Sequence, residues 1–341
     1  MNLSQKLFTV FILTLFLFPV VGYGQEVQEE KPIKIPEEVA KVIETNLAAR
    51  QARLDIPLSY ARTLYFPYQN DFFTCFFLKV QNKALGYEAP FMEEKIEEAE
   101  EKGVEEEEKI LSANIDFFFR IYSLGENGQV MKIYKEVYLP YADQVESGEY
   151  DPEEENIYSF GTIFPPGHYL LSAAAASLDL TKIGLIFQEF YLPFPSDFKK
   201  NLSLTPLFFV KSIKRMPSPD SVINLYKNRF HYATLEIEPL FDYEFSLTEK
   251  LDIFYFILGG TPGSDGKYNF EATYFYKKGE EEVVKFAPLL LENIPAPIVS
   301  VPLPLFFKDK KLETGEYTLE ITLEDKTGKK EGTGKINFIM K

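Results

Sequence analysis

From Glu316 to Glu324 the chain reads Glu316-Tyr317-Thr318-Leu319-Glu320-Ile321-Thr322-Leu323-Glu324, polar and apolar in strict alternation. Asp325-Lys326-Thr327-Gly328 follows, and Ile336, Phe338 and Met340 then resume the alternation. A period of two places Tyr317, Leu319, Ile321 and Leu323 on one face of a strand and the Thr and Glu residues on the other. The Asp-to-Gly tetrad supplies a turn. The stretch therefore predicts a β-hairpin with one buried face.

The habit extends back along the chain. Ile115, Phe117, Phe119 and Ile121 alternate with Asp116, Phe118, Arg120 and Tyr122, and Gly125-Glu126-Asn127-Gly128 turns the chain toward Val130 to Tyr138. Ala233, Leu235 and Ile237 alternate with Thr234, Glu236 and Glu238, and Phe241, Tyr243 and Phe245 follow. Two runs break the alternation by being apolar throughout, Phe72 to Val80 and Leu251 to Leu258. A strand apolar on both sides is expected where both faces of its sheet are covered. One segment has a different period: Val39, Ala40, Ile43 and Leu47 recur at three and four residues after Pro36, with Glu37 and Glu38 in the first turn. That spacing predicts one short amphipathic helix, its stripe facing the body of the protein or a partner.

The halves read as copies. Gly167-His168-Tyr169-Leu170-Leu171 matches Gly315-Glu316-Tyr317-Thr318-Leu319, and each Tyr precedes a Phe by 21 residues, Tyr169 to Phe190 and Tyr317 to Phe338. A repeat of this length indicates tandem domains rather than a solenoid. Pro193, Pro195, Pro206, Pro217 and Pro219 punctuate the chain between them. The expected organisation is a lead-in and helix over 25–57, a β-sandwich over 58–200 with an acidic insertion at 88–108, and a second β-sandwich over 201–341.

Gly-x-Tyr-x-Leu late in each half resembles the immunoglobulin-like sandwich, in which a Tyr near the start of strand F anchors a corner two residues before a core Cys. Leu171 and Leu319 stand where that Cys would be, and the chain has no Trp for strand C. The resemblance thus implies two tandem immunoglobulin-like β-sandwich domains, all-β, and not antibody-type domains. Residues 315–326 are also similar to the closing domain of secreted bacterial proteins that carry a GWxTD motif. The motif requires Trp and is absent, so no function follows from it.

Composition narrows the functional classes. Thirty-six Lys and Arg stand against 52 Asp and Glu, a net charge of −16. Phosphate backbones and anionic headgroups need neutralising cations, so nucleic-acid and anionic-membrane binding are disfavoured. Residues 1–24 have the parts of a cleavable signal peptide: Lys6, an apolar run from Leu7 to Val21, then Gly22 and Gly24. The run is broken by Pro19 and shorter than the roughly 20 residues a membrane span requires. No Cys follows to accept a lipid. An exported, periplasmic or extracellular protein with no span after cleavage is the expectation.

Candidate chemistry is sparse. The single Cys, Cys75, precludes an intrachain disulfide and lies between Phe73 and Phe77 as a buried hydrophobe. His168 and His231 are the only histidines, and neither sits in a motif with a nucleophile or second ligand. Gly263-Ser264-Asp265-Gly266, after Thr261-Pro262 and between two strand patterns, reads as a hairpin turn rather than a nucleophile loop. Eleven Glu between Glu88 and Glu108 form a solvated acidic segment, or alternatively a divalent-cation trap, and Asp151-Pro152-Glu153-Glu154-Glu155 is a smaller cluster of the same kind. No catalytic, cofactor-binding or metal-ligating residue is assigned, and no cofactor is expected. The functional reading is a non-catalytic extracytoplasmic structural or protein-interaction protein with an unidentified protein partner. A glycan- or peptide-binding module of the cell envelope is the alternative, suggested by the 21 Tyr, and an enzyme with a dispersed site comes third.

Overall fold

The computed structural model describes residues 35–88, 110–219, 223–246, 250–304 and 312–341. Residues 1–24, expected to be a signal peptide, the charged lead-in up to residue 34, and the acidic segment beyond Glu88 fall outside the described residues. What is described is all-β apart from the helix Glu37–Leu47, a single helical turn at Asn82–Leu85 and a short 3-10 turn at Pro195–Phe198.

Four sheets carry the described residues. The first runs Arg53–Leu54, Ile183–Leu192, Gly167–Ser177, Ile110–Leu124, Val130–Glu146 in hydrogen-bonded order. The second runs Tyr226–Lys227, Glu155–Phe164, Asp71–Gln81, Leu58–Tyr68. These two face each other over a core that includes Phe76, Phe117, Phe119, Phe160 and Leu171. The third sheet runs Phe230–Tyr232, Leu235–Pro239, Phe208–Arg215, Lys250–Leu258, Ile298–Pro304. The fourth runs Glu244–Phe245, Lys330–Met340, Gly315–Asp325, Tyr268–Lys278, Glu281–Lys285. They enclose a second core that includes Tyr255, Tyr274, Leu319 and Phe338. The chain is thus a pair of β-sandwiches. Among the described residues, all strand pairs are antiparallel except Glu244–Phe245 against Lys330–Met340.

The two continuous apolar runs explain how the sandwiches join. In Asp71–Gln81, Phe72, Phe76, Leu78 and Val80 enter the first sandwich's core, while Cys75 and Phe77 on the opposite face enter a separate cluster. In Lys250–Leu258, Leu251, Ile253, Tyr255 and Ile257 enter the second core, while Phe254 and Phe256 enter that same cluster. The second and third sheets therefore pack face to face, and the molecule is a stack of four sheets. Aromatic rings fill the joint: Phe66 stacks on Phe230 at 5.5 Å and meets Phe208 edge-on at 5.9 Å. Such ring pairs add to the apolar area they bury, about 150–250 Å² each.

The helix closes the outer face of the first sheet. Val39 and Ile43 are fully buried against Phe118, Leu170, Ala174 and Leu185, so its stripe docks on its own chain. This accounts for Phe118 and Tyr122 on the face of Ile110–Leu124 turned away from the sandwich core. Alanines 174 and 176 keep the sheet low enough for the helix to approach. Arg120 on that face is nearly buried and pairs with Glu136 at 2.6 Å and with the helix residue Glu44 at 3.2 Å. A buried guanidinium without such partners would carry a heavy desolvation cost.

Two local readings are refined. Ala233 does not lie in a strand: it occupies the turn between Phe230–Tyr232 and Leu235–Pro239 with φ of 50°. Residues 263–266 form a turn, closed by Gly263 N–H donating to the Lys267 carbonyl at 2.7 Å, but it carries the chain between facing sheets and not between hairpin partners.

Candidate functional site

The residues singled out from sequence are not brought together. His168 lies 3.0 Å from a Glu189 carboxylate oxygen, and Arg50 pairs with the other oxygen. His231 sits 3.3 Å from Glu236 and packs against the Tyr226 ring, centroids 4.1 Å apart. Cys75 is wholly buried, and burial pushes its thiol well above the ordinary range, with a weaker opposing contribution from the Ser159 hydroxyl. A thiol so placed is not a nucleophile at neutral pH. In the cluster 151–155, Glu153 pairs with Lys83 at 2.8 Å, Glu155 with Lys79 at 2.7 Å, and Glu154 accepts from Asn82 at 3.0 Å. Glu153 and Glu154 fasten the loop before Glu155–Phe164 to the turn after Asp71–Gln81, and Glu155 pairs across the two strands.

A cleft of about 440 Å³ opens instead beside the joint of the two sandwiches. Its described walls come from separated parts of the chain: Tyr68 and Phe73, Lys135, residues 161–163, Pro219, and the stretch between Ile223 and Ala233. The size is that of ordinary ligand clefts. Its floor is the edge of the second sheet. Gly161 belongs there because the Phe73 ring lies across it; a Cβ at that position would meet the ring at 2.1 Å. Tyr68 is 41% exposed at the rim, while Tyr232 is anchored by donating its hydroxyl to the Pro67 carbonyl at 2.6 Å. Lys135 reaches in from the first sheet, donates to Thr162, and has no carboxylate partner among the described residues. Burial lowers its ammonium pKa.

The strand that carries Lys135 is itself unusual. Val130, Met131, Ile133 and Tyr134 are all exposed, Met131 to 61%, on a 17-residue strand at the edge of its sheet. Consecutive exposed apolar side chains on a long edge strand are a feature that isolated soluble sandwiches suppress. The sequence predicts a strand over Val130 to Tyr138 but carries no sign that its first half, paired only with Ile110–Leu124, leaves these side chains exposed. The cleft had no signal in the sequence, since its walls are dispersed from position 68 to 233.

No protein family matches the chain, and no curated protein does. Among solved structures, red sea bream transglutaminase matches with a TM-score of 0.25 at 9% identity, over 90% of this chain and 34% of the transglutaminase. The match spans about a third of that protein's length. Among the described residues, no helix is long and apolar enough to cross a membrane.

Proposed function

We propose that this chain is a non-catalytic, extracytoplasmic interaction protein that uses two immunoglobulin-like sandwiches as a stiff support for a protein-binding face. The observation that carries the reading is the exposed apolar start of Val130–Glu146, where Val130, Met131, Ile133 and Tyr134 are exposed within five residues of Lys135, which lines the cleft. The aromatic joint between the second and third sheets supports it, because it removes the hinge that tandem domains otherwise have. The immunoglobulin-like assignment draws support from the tyrosines. Tyr169 and Tyr317 each donate a hydroxyl hydrogen bond to a backbone carbonyl four residues upstream, Pro165 at 3.0 Å and Glu313 at 3.1 Å. Export rests on residues 1–24, and N-terminal sequencing of the protein recovered from the periplasm or medium tests it: a retained Met1 in a membrane fraction contradicts it.

The interaction reading is tested by crosslinking the full chain to an envelope extract, beside the double variant Met131→Asp, Ile133→Asp. A partner captured by the wild type and lost by the variant supports it; equal capture by both removes this face. The second reading, a glycan- or peptide-binding module, is favoured by the tyrosine-lined cleft, with Tyr68 at the rim and Tyr232 within. Saturable binding on a glycan array, without any protein partner, would select the glycan version.

A further inference from the structure

The edge of the second sheet is only half paired. Tyr226–Lys227, lent by the second half of the chain, lies antiparallel to Glu155–Phe164 with Tyr226 opposite Ser159 and Lys227 opposite Tyr158. One residue further, Asn228 N–H donates to the Ile157 carbonyl at 2.7 Å, and the Ile157 N–H donates to the Asn228 side chain at 3.0 Å. The backbone groups of Ile157 therefore point outward from the sheet. In an extended strand, alternate residues direct both N–H and C=O to the same side. Ser159, Gly161 and Ile163 hence also point outward, and Tyr158, Phe160 and Thr162 point inward to Asp71–Gln81, whose pairing with this strand is unbroken from Phe72 to Gln81. The lent strand ends at Tyr226, opposite Ser159. Beyond it, the N–H and C=O of Gly161 and Ile163 have no strand partner among the described residues, and both residues line the cleft.

We infer that the cleft is a strand-addition site, which takes an extended peptide carrying a carboxylate and pairs it with the free edge at Gly161 and Ile163. This rests on the interaction reading above and names the chemistry of the partner segment. Three observations select a peptide over a sugar. Gly161 and Ile163 offer an alternating donor and acceptor pattern at strand spacing, which a polypeptide backbone complements and a sugar ring does not. The chain already fills the preceding stretch of the same edge with its own Tyr226–Lys227, so the geometry accepts an added strand. Gly161 presents no side chain, and Phe73 and Tyr232 form an apolar wall for alternate residues of the guest. Lys135 selects the charge. It is a half-buried ammonium with no carboxylate partner among the described residues, in a chain of net charge −16, so a guest carboxylate gains an ion pair with it.

The test uses the full chain and labelled synthetic peptides of about eight alternating Thr and Val residues with one central Glu. A matched peptide has Lys for the Glu, and a uronic-acid trisaccharide supplies carboxylates without a peptide backbone. Anisotropy is expected to show saturable binding of the Glu peptide and about tenfold weaker binding of the Lys peptide. Ile163→Pro removes an outward N–H while leaving the inward ladder intact, a substitution edge strands accept. It is expected to weaken the Glu peptide about tenfold. Lys135→Gln is expected to bring the Glu and Lys peptides to similar affinity. Amide exchange at Gly161 and Ile163 should slow when the Glu peptide is added to the unaltered chain, which reads the site even if Ile163→Pro fails to fold. The inference is overturned if no peptide saturates at roughly millimolar concentration, if both variants bind unchanged, or if the trisaccharide binds while neither amide slows. If the Ile163→Pro chain keeps its fold and captures an envelope partner as strongly as the wild type, this site fails and the interaction reading stands. If neither chain captures one, the interaction reading itself fails.

Discussion

The ring of Tyr317 stacks on that of Phe338, centroids 5.6 Å apart and planes within 22°, and the two residues lie directly opposite in their strand pair. Tyr169 and Phe190 repeat the relation at 5.2 Å and 18°, again as direct cross-strand partners. Each Tyr hydroxyl also ties back to the carbonyl four residues before it. Ring and hydroxyl thus do separate jobs, the first filling the core and the second pinning the corner. Tyr317→Phe keeps the ring and leaves the Glu313 carbonyl without its donor, so it should cost about 1–2 kcal/mol. Tyr169→Phe should cost a similar amount. Urea unfolding followed by circular dichroism measures both, and no shift in midpoint for either would deny the corner its structural role.

Phe66 is the centre of the joint between sandwiches. It is fully buried, stacked on Phe230, tilted against Tyr232 at 5.1 Å and Phe256 at 5.4 Å, and edge-on to Phe208 and Phe254. Truncating a ring in such a site loses its transfer energy and leaves a cavity, together about 3–5 kcal/mol. Because the loss falls on the contact between two cores, Phe66→Ala should also divide unfolding into two transitions. Scanning calorimetry reads this directly. A single, merely lowered transition would show that the sandwiches remain coupled through other contacts.

Much of this architecture was legible because its signals are local. The alternation from Tyr317 to Leu323 is a property of neighbouring residues, and so is the double-sided apolarity of Phe72 to Val80 and Leu251 to Leu258. That double-sidedness required a cover on both faces. It could not say that the two runs meet in one cluster, because Phe77 and Phe254, which share it, lie more than 170 residues apart. The lent strand was invisible for a different reason. Asn224-Leu225-Tyr226-Lys227 has no periodic pattern, and its partner Ser159 is made available only by the edge it completes. A cleft built on that edge inherits the same silence. Glu236 and Glu189, which engage the two histidines, likewise stand five and 21 residues away from them, at spacings that carry no motif.

Asp325 turns the last hairpin and is wholly buried. One carboxylate oxygen accepts from the Thr327 and Gly328 N–H groups, both at 2.9 Å, and the other from the Thr261 N–H at 2.8 Å. It therefore binds its own turn and the crossover from the facing sheet at once. Asp325→Ala strands these donors and should cost about 3 kcal/mol. Asp325→Asn keeps one acceptor oxygen and should recover part of the loss. Gly328→Ala should destabilise independently, because its Cβ would meet the Thr261 hydroxyl at 2.1 Å and Asp325 at 2.5 Å. Chemical denaturation of the three variants ranks them, and Asp325→Ala at wild-type stability would remove the turn from this account.

Asp143 links the first sandwich to the strand lent by the second half, and the link has a pH sign. Burial pushes its carboxyl upward, but the Lys227 ammonium at 2.7 Å and the Tyr87 hydroxyl at 2.5 Å outweigh it and hold the carboxyl below its ordinary 3.8. A carboxyl lowered on folding stabilises the folded state above its unfolded value, and the stabilisation is lost as pH falls through the lower folded value. Docking of Tyr226–Lys227 should therefore be insensitive to pH between 7 and about 4.5 and loosen only below 3.8. Lys227→Met removes the strongest opposition to burial, so the Asp143 carboxyl should titrate at higher pH in that variant. The lent strand should then exchange its amides faster at neutral pH, where the charge is buried without its cation. Carboxyl-detected NMR titration with amide exchange at Ser159 follows both effects, and an unchanged Asp143 titration in Lys227→Met would break the proposed coupling between the ion pair and the lent strand.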